Sequence, residues 1–141
     1  MAQGARRVTG DKTAKVDQLE VRVYSDRKAM GEAAAAEAAT AMIETIRERG
    51  EVRMAFAAAP SQNEFLAALA ATPEIDWSRV AAFQLDEYVG LPPDAPQLFG
   101  TFLSEALFDE VRPGALHLIG PMGTLEEGQE RARAYAGLID A

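Results

Sequence analysis

Apolar and polar residues alternate along Leu19-Glu20-Val21-Arg22-Val23-Tyr24, the two-residue period of a strand with one exposed face. Ser25 or Asp26 can cap the helix that follows, and Gly50 stops it just after Arg47, Glu48 and Arg49. That helix is rich in alanine, and Met30, Ala34, Ala41, Ile43 and Ile46 contribute an apolar stripe that reads as scaffold. Val52 to Ala58 predicts a second strand, broken at Pro60. Ser61 then begins a helix to about Ala71, and Ser61-Gln62-Asn63-Glu64 has the spacing of a capping box. Thr72-Pro73 ends that helix, and Asp76-Trp77-Ser78 leads into Val80 to Leu85. This last run is short and apolar, with Gln84 its only polar residue, which suits a buried parallel strand.

Gly90 and Pro92-Pro93 turn the chain again. Leu98, Phe99, Phe102, Leu103, Ala106 and Leu107 then recur at helical spacing within Gln97 to Phe108. Pro113-Gly114 leads into a short strand from Leu116 to Ile119. Thr124-Leu125-Glu126-Glu127 opens a last helix, running to Leu138, with acidic residues near its amino end. Strand, helix, strand, helix, strand, joined by right-handed crossovers, predicts an α/β fold. The expected architecture is a Rossmann-like, open, mainly parallel sheet with helices on both faces. Residues 1–18 hold Arg6, Arg7, Lys12 and Lys15, two glycines and few large apolar groups, and read as a flexible tail. Residues 19–141 read as a single α/β domain.

The chain of 141 residues is one domain in size, large enough for a real core. Its formal net charge of −8 leaves no basic face for nucleic acid, although a phosphorylated small molecule needs only one local positive site. No cysteine is present, so disulfides and thiolate metal sites are excluded. His117 is the single histidine, and it alternates with Leu116 and Leu118 on a short strand, where a structural or solvent-facing role suits it. No apolar run approaches the ~18 residues of a membrane span, and a soluble cytoplasmic protein is the default expectation.

Two places could carry chemistry. Asp86, Glu87 and Tyr88 follow the Val80 to Leu85 strand directly, where open α/β sheets bind ligands. A carboxylate there can take a proton from a substrate; equally, Asp86 and Glu87 can end the strand and face water. The second place is the turn from Ala57 to Gln62, where a strand enters a helix amino terminus and free N–H groups favour phosphate. Ser61 there is either a ligand or simply a helix cap.

Phe83-Gln84-Leu85-Asp86-Glu87-Tyr88-Val89-Gly90-Leu91 resembles the signature of the glucosamine-6-phosphate deaminase family, which includes sugar-phosphate isomerases and 6-phosphogluconolactonases. The likeness runs from about Val21 to Ile139. Tyr88 favours the deaminase branch over the lactonase branch, which usually has a basic residue there. The resemblance implies aldose–ketose isomerisation of a 2-amino sugar phosphate with release of ammonia. Asp86 then stands at the position of the base, with Glu87 and Tyr88 in support. It also implies a phosphate loop at Ala58, Ala59, Ser61 and Gln62, no metal and no organic cofactor. Ala59-Pro60 departs from the family's glycine pair: Pro60 has no N–H to donate, and Ala59 resists the positive φ that glycine allows. The family's ring-opening histidine lies in a later Asp-Gly-His motif that nothing in these residues matches, so the chain reads as an amino-terminal portion. The implied partner is a phosphorylated sugar, with no nucleic acid and no membrane, and a homo-oligomer is left open. A non-catalytic sugar-phosphate-binding module and a lactonase-like hydrolase are the alternatives.

Overall fold

In the computed structural model, which describes residues 10–140, Lys12–Val16 (β1) and Leu19–Val23 (β2) pair as an antiparallel hairpin. The first strand expected for the parallel sheet therefore lies outside it. Part of the segment expected as a tail is also ordered as β1, and residues 1–9 lie outside the described residues. The two-residue period explains the arrangement. Arg22, on the polar side of the hairpin, pairs with Glu37 of the first helix and with Glu20. Val16, Leu19 and Val23, on the other side, remain more than half exposed at 59%, 64% and 52%. The Arg22–Glu37 pair links the hairpin to the first helix, and Val21 on the apolar side is half-buried.

Asp26 caps the helix Arg27–Arg49 (α1) by accepting the Ala29 N–H, and Gly50 ends it in the left-handed conformation at φ 84°. The buried side of α1 is Gly31, Ala33, Ala35, Ala39 and Met42, whereas Met30, Ala34 and Ala41 are exposed. A helix so rich in alanine has little contrast between faces, so the partner selects which small residues are covered. The partner is the helix Asn63–Ala70 (α2), and the approach is close: a Cβ on Gly31 would stand 2.6 Å from Glu64 Cβ.

Val52–Phe56 (β3), Val80–Gln84 (β4) and Ala115–His117 (β5) form the parallel sheet in the order β3-β4-β5. Val52, Phe56, Val80 and Ala82 project to the face covered by α1, α2 and the helical run after β4. That run comprises Phe99–Leu103 (α3), a wide π-type turn over Ser104–Phe108 and Asp109–Val111 (α4). Leu66 and Leu69 of α2 meet Leu103, Leu107 and Phe108 there, all essentially removed from water. Each such side chain contributes about 1.5–3 kcal/mol by burial. The opposite face carries Phe83, against which the helix Leu125–Asp140 (α5) sets Tyr135. The expected α/β sheet with helices on both faces is thus formed. Thr124-Leu125-Glu126-Glu127 closes a reciprocal cap at the start of α5, with Glu127 accepting the Gly123 and Thr124 N–H groups and Thr124 accepting that of Glu127. Among the described residues no helix is long and apolar enough to cross a membrane.

Candidate functional site

Parallel pairing of Phe56 with Gln84 brings the carboxyl ends of β3 and β4 side by side. The turn from Ala57 to Gln62 and the segment from Leu85 to Tyr88 therefore leave the sheet as neighbours. The second segment is pinned on both sides of Asp86: Leu85 donates its N–H to the Phe56 carbonyl at 3.0 Å, and Gly90 donates to Met122 at 2.7 Å. Gly90 sits at φ 94°, a conformation glycine adopts without strain, and Val89 bridges to Met122. Between these ties, Asp86 is exposed, and its carboxylate receives no hydrogen bond or ion pair from the described residues. Tyr88 lies with its ring 4.4 Å from that of Phe99.

Glu87 has a different environment from its neighbour. One carboxylate oxygen accepts the N–H groups of Tyr88 and Phe99, and the other accepts those of Gly100 and the Gln84 side chain, each at 2.9 Å. The two helix amides belong to the amino end of α3, where free N–H groups and the helix dipole favour an anion. Partial burial opposes ionisation of Glu87. The donated N–H groups of Gly100, Phe99 and Tyr88, with the Gln84 amide, outweigh it and hold the carboxyl below its ordinary value. Glu87 is a helix cap supplied from another segment.

The turn after β3 differs from the sequence expectation. Ala59 is extended at φ −162°, and Pro60–Gln62 form a single 3-10 turn. The capping box does not form, and Gln62, the residue before α2, makes no side-chain cap. Pro60, with its φ preset near the helical value, starts the turn one residue early and places Ser61 inside it rather than before it. Glu64 in turn is taken by Arg27 of α1, whose guanidinium meets both carboxylate oxygens at 2.9 and 2.8 Å and the Pro60 carbonyl at 2.9 Å. Arg27 outcompetes the backbone because a fork-to-carboxylate pair carries charge on both sides.

This turn has few donors to give an anion. Pro60 lacks an N–H, and the N–H groups of Gln62 and Asn63 are given to the Ala59 and Pro60 carbonyls. Ser61 is exposed, Ala59 and Gln62 are half-buried and Ala58 is buried. Of the other arginines flanking the sheet strands, Arg79 lies at the amino end of β4, away from this edge. Arg53 stacks over Phe83 at 5.1 Å on the opposite face and donates to the Leu138 carbonyl. His117 stacks on Phe83 at 4.5 Å, on the sheet face turned to α5. Arg27, Gln84 and Tyr135 were missed by sequence reasoning. Gln84 alone left a signal, as the polar residue inside an apolar strand.

A cleft of about 330 Å³ opens beside Glu87, along α3 and next to Leu118, Gly120 and Pro121. Asp86 and Ser61 do not line it.

The sequence profile described as glucosamine-6-phosphate isomerases/6-phosphogluconolactonase matches residues 25–141. The chain is 38% identical over 66 residues to glucosamine-6-phosphate deaminase 2 of Bacillus subtilis, covering 47% of this chain and 26% of that protein. It is 32% identical over 120 residues to glucosamine-6-phosphate deaminase of Streptomyces avermitilis, covering 83% of this chain and 44% of that protein. Among solved structures, a monomeric glucosamine-6-phosphate deaminase superposes with a TM-score of 0.65 at 19% identity, over 82% of this chain and 47% of that one. A 6-phosphogluconolactonase from Shewanella baltica also gives 0.65, at 17% identity, over 79% of this chain and 48% of that one. These superpositions speak to the fold. The chain spans less than half the length of the curated relatives it matches. With the profile covering the sheet, its helices and the Asp86 segment, the chain belongs to the glucosamine-6-phosphate isomerase/6-phosphogluconolactonase family.

Proposed function

We propose that this chain carries the base-bearing, amino-terminal part of a glucosamine-6-phosphate deaminase-type active site, with Asp86 as the general base. One observation carries the reading. An exposed carboxylate stands at the carboxyl end of β4, on a segment tied to β3 and to Met122, beside the Ala57 to Gln62 turn. In the proposed reaction Asp86 removes the C2 proton of an open-chain 2-amino sugar phosphate and returns it at C1, while a proton from the ammonium group passes to the C1 oxygen. C1 thereby becomes a hydroxymethyl group and C2 an iminium, which becomes the carbonyl when ammonia is lost. Water then adds to the C2 iminium, and ammonia leaves. Proton transfer by a positioned carboxylate is worth roughly 10²–10⁴ in rate.

In this reading Ser61 offers a hydroxyl to the phosphate, and Ala58, Ala59 and Gln62 shape the turn around it. Glu87 and Tyr88 support the Asp86 segment through the helix cap and the contact with Phe99. A second reading is a sugar-phosphate-binding module without turnover, to which the altered Ala59-Pro60 turn gives weight, since a phosphate held in a different pose need not bring C2 to Asp86.

The deciding experiment is ammonia release from glucosamine 6-phosphate by this chain and by Asp86→Asn, with binding of the sugar phosphate measured by calorimetry. Turnover that Asp86→Asn abolishes, at unchanged thermal stability, is the expected result. Turnover that survives in Asp86→Asn overturns the base assignment. Binding without ammonia release selects the second reading, and hydrolysis of a phosphogluconolactone in place of deamination moves the chain to lactonase-type chemistry.

A further inference from the structure

Among the described residues Gln84 is the buried polar side chain, only 1% exposed at the carboxyl end of the central strand. Placing a primary amide there is costly unless each of its groups finds a partner. Each does. The Ile119 N–H is donated to Oε1 at 2.9 Å, while Nε2 donates to the Asp86 carbonyl at 2.8 Å and to the Glu87 carboxylate at 2.9 Å. Both N–H donors are used, and the oxygen accepts one bond. The orientation is also unique. Flipping the amide would set its NH₂ against the Ile119 N–H and its oxygen against a carbonyl and a carboxylate.

We infer that Gln84 is a positioning residue for Asp86, fixing the main chain from which that carboxylate projects. The inference rests on the reading of Asp86 as base. Because the Asp86 side chain takes no hydrogen bond from the described residues, its placement comes from its backbone. The Gln84 amide supplies the tie at Asp86 itself, between the anchors at Leu85 and Gly90. Gln84 is in turn held from two further elements. Ile119, just beyond β5, fixes its oxygen, and the Tyr135 hydroxyl of α5 reaches the Gln84 main-chain carbonyl at 2.8 Å. Gly100 makes room for the group, since a Cβ there would lie 3.3 Å from Gln84 Oε1 and 3.4 Å from Glu87 Oε2. One buried amide thus joins the end of β5, the amino end of α3 and the Asp86 segment.

The test compares this chain with Gln84→Met, which keeps the length and removes both donors and the acceptor. Amide exchange and the carboxyl ¹³C resonance of Asp86 are followed by NMR, and kcat and KM for glucosamine 6-phosphate are measured alongside. The expected result is at least about tenfold faster exchange at Phe99, Gly100 and Ile119 in a chain that still folds. The Asp86 amide and carboxyl resonances shift with it, and any turnover falls about 10–100-fold in kcat at nearly constant KM. If the helix amides respond while the Asp86 resonances stay in place, Gln84 serves only the helix cap and the inference is overturned. Should Gln84→Met fail to fold, Gln84→Glu has the same shape and sets an oxygen against the Asp86 carbonyl, and the same Asp86 resonances decide. Turnover that survives Asp86→Asn would remove the base assignment and leave the positioning result intact, so the two failures are distinguishable.

Discussion

Glu87 accepts the Gly100 N–H at 2.9 Å across thirteen residues of chain, and this bond joins the segment after β4 to the start of α3. The neighbouring carboxylate, Asp86, takes no hydrogen bond from the described residues and is exposed. Two adjacent acids therefore divide the work. One is consumed in holding the fold, and the other is left with its oxygens available.

Glu87→Gln should destabilise the domain by about 1 to 2 kcal/mol near neutral pH. The lower part of the range for hydrogen bonds to a charged group applies because the carboxylate is only partly buried. The new amide would turn donors toward the Gly100 N–H and the Gln84 amide. The Glu87 carboxyl is held below its ordinary value, so its contribution is fully present above the unfolded value of about 4.3 and is lost as pH falls through the folded one. Urea melts should show a gap between the two proteins that is widest near neutrality and closes in acid.

Gly31→Ala should be destabilising even though alanine is the better helix former by about 1 kcal/mol. The added Cβ would lie 2.6 Å from Glu64 Cβ and 2.9 Å from the Glu64 carbonyl carbon and the Phe65 nitrogen, so α1 and α2 must separate. A net loss of about 1–3 kcal/mol is expected. Gly137→Ala is the control: it lies within α5 with no atom within 4 Å of the new carbon, and it should stabilise by roughly 0.5–1 kcal/mol. Paired thermal melts measure both.

Tyr135→Phe removes a hydroxyl set 2.8 Å from the Gln84 carbonyl and 2.9 Å from the His117 carbonyl, while its ring can keep the edge contact with Phe83. A cost of about 1 kcal/mol is expected, with faster amide exchange at β5. Burial holds the phenol above its ordinary value, so this stabilisation is complete below about pH 10 and is lost as pH rises further. Melts at neutral and alkaline pH should show the difference between the proteins shrinking at the alkaline end.

Helix and strand positions were legible in the chain because the signals that set them are local. Asp26 and Gly50 bound α1 where their capping chemistry places them, and the apolar run from Val80 forms β4. The misreadings came from competition between distant groups. Glu64 has the spacing to cap Ser61, but Arg27, distant in sequence, offers it two charged hydrogen bonds instead. The strand Leu19–Val23 has the right alternation for the sheet, yet its polar face reaches Glu37 and it pairs with Lys12–Val16.

The sequence by itself determined the α/β order, the caps of α1 and the presence of an acidic pair at the end of a parallel strand, since each depends on residues within a turn or two of one another. Only the tertiary structure decided which acid of that pair is free. Adjacent side chains leave an extended backbone on opposite sides, so the position of the Phe99 and Gly100 amides selects Glu87 as the cap and turns Asp86 outward. That selection depends on contacts across twelve and thirteen residues and on a buried Gln84 amide, which no local pattern encodes.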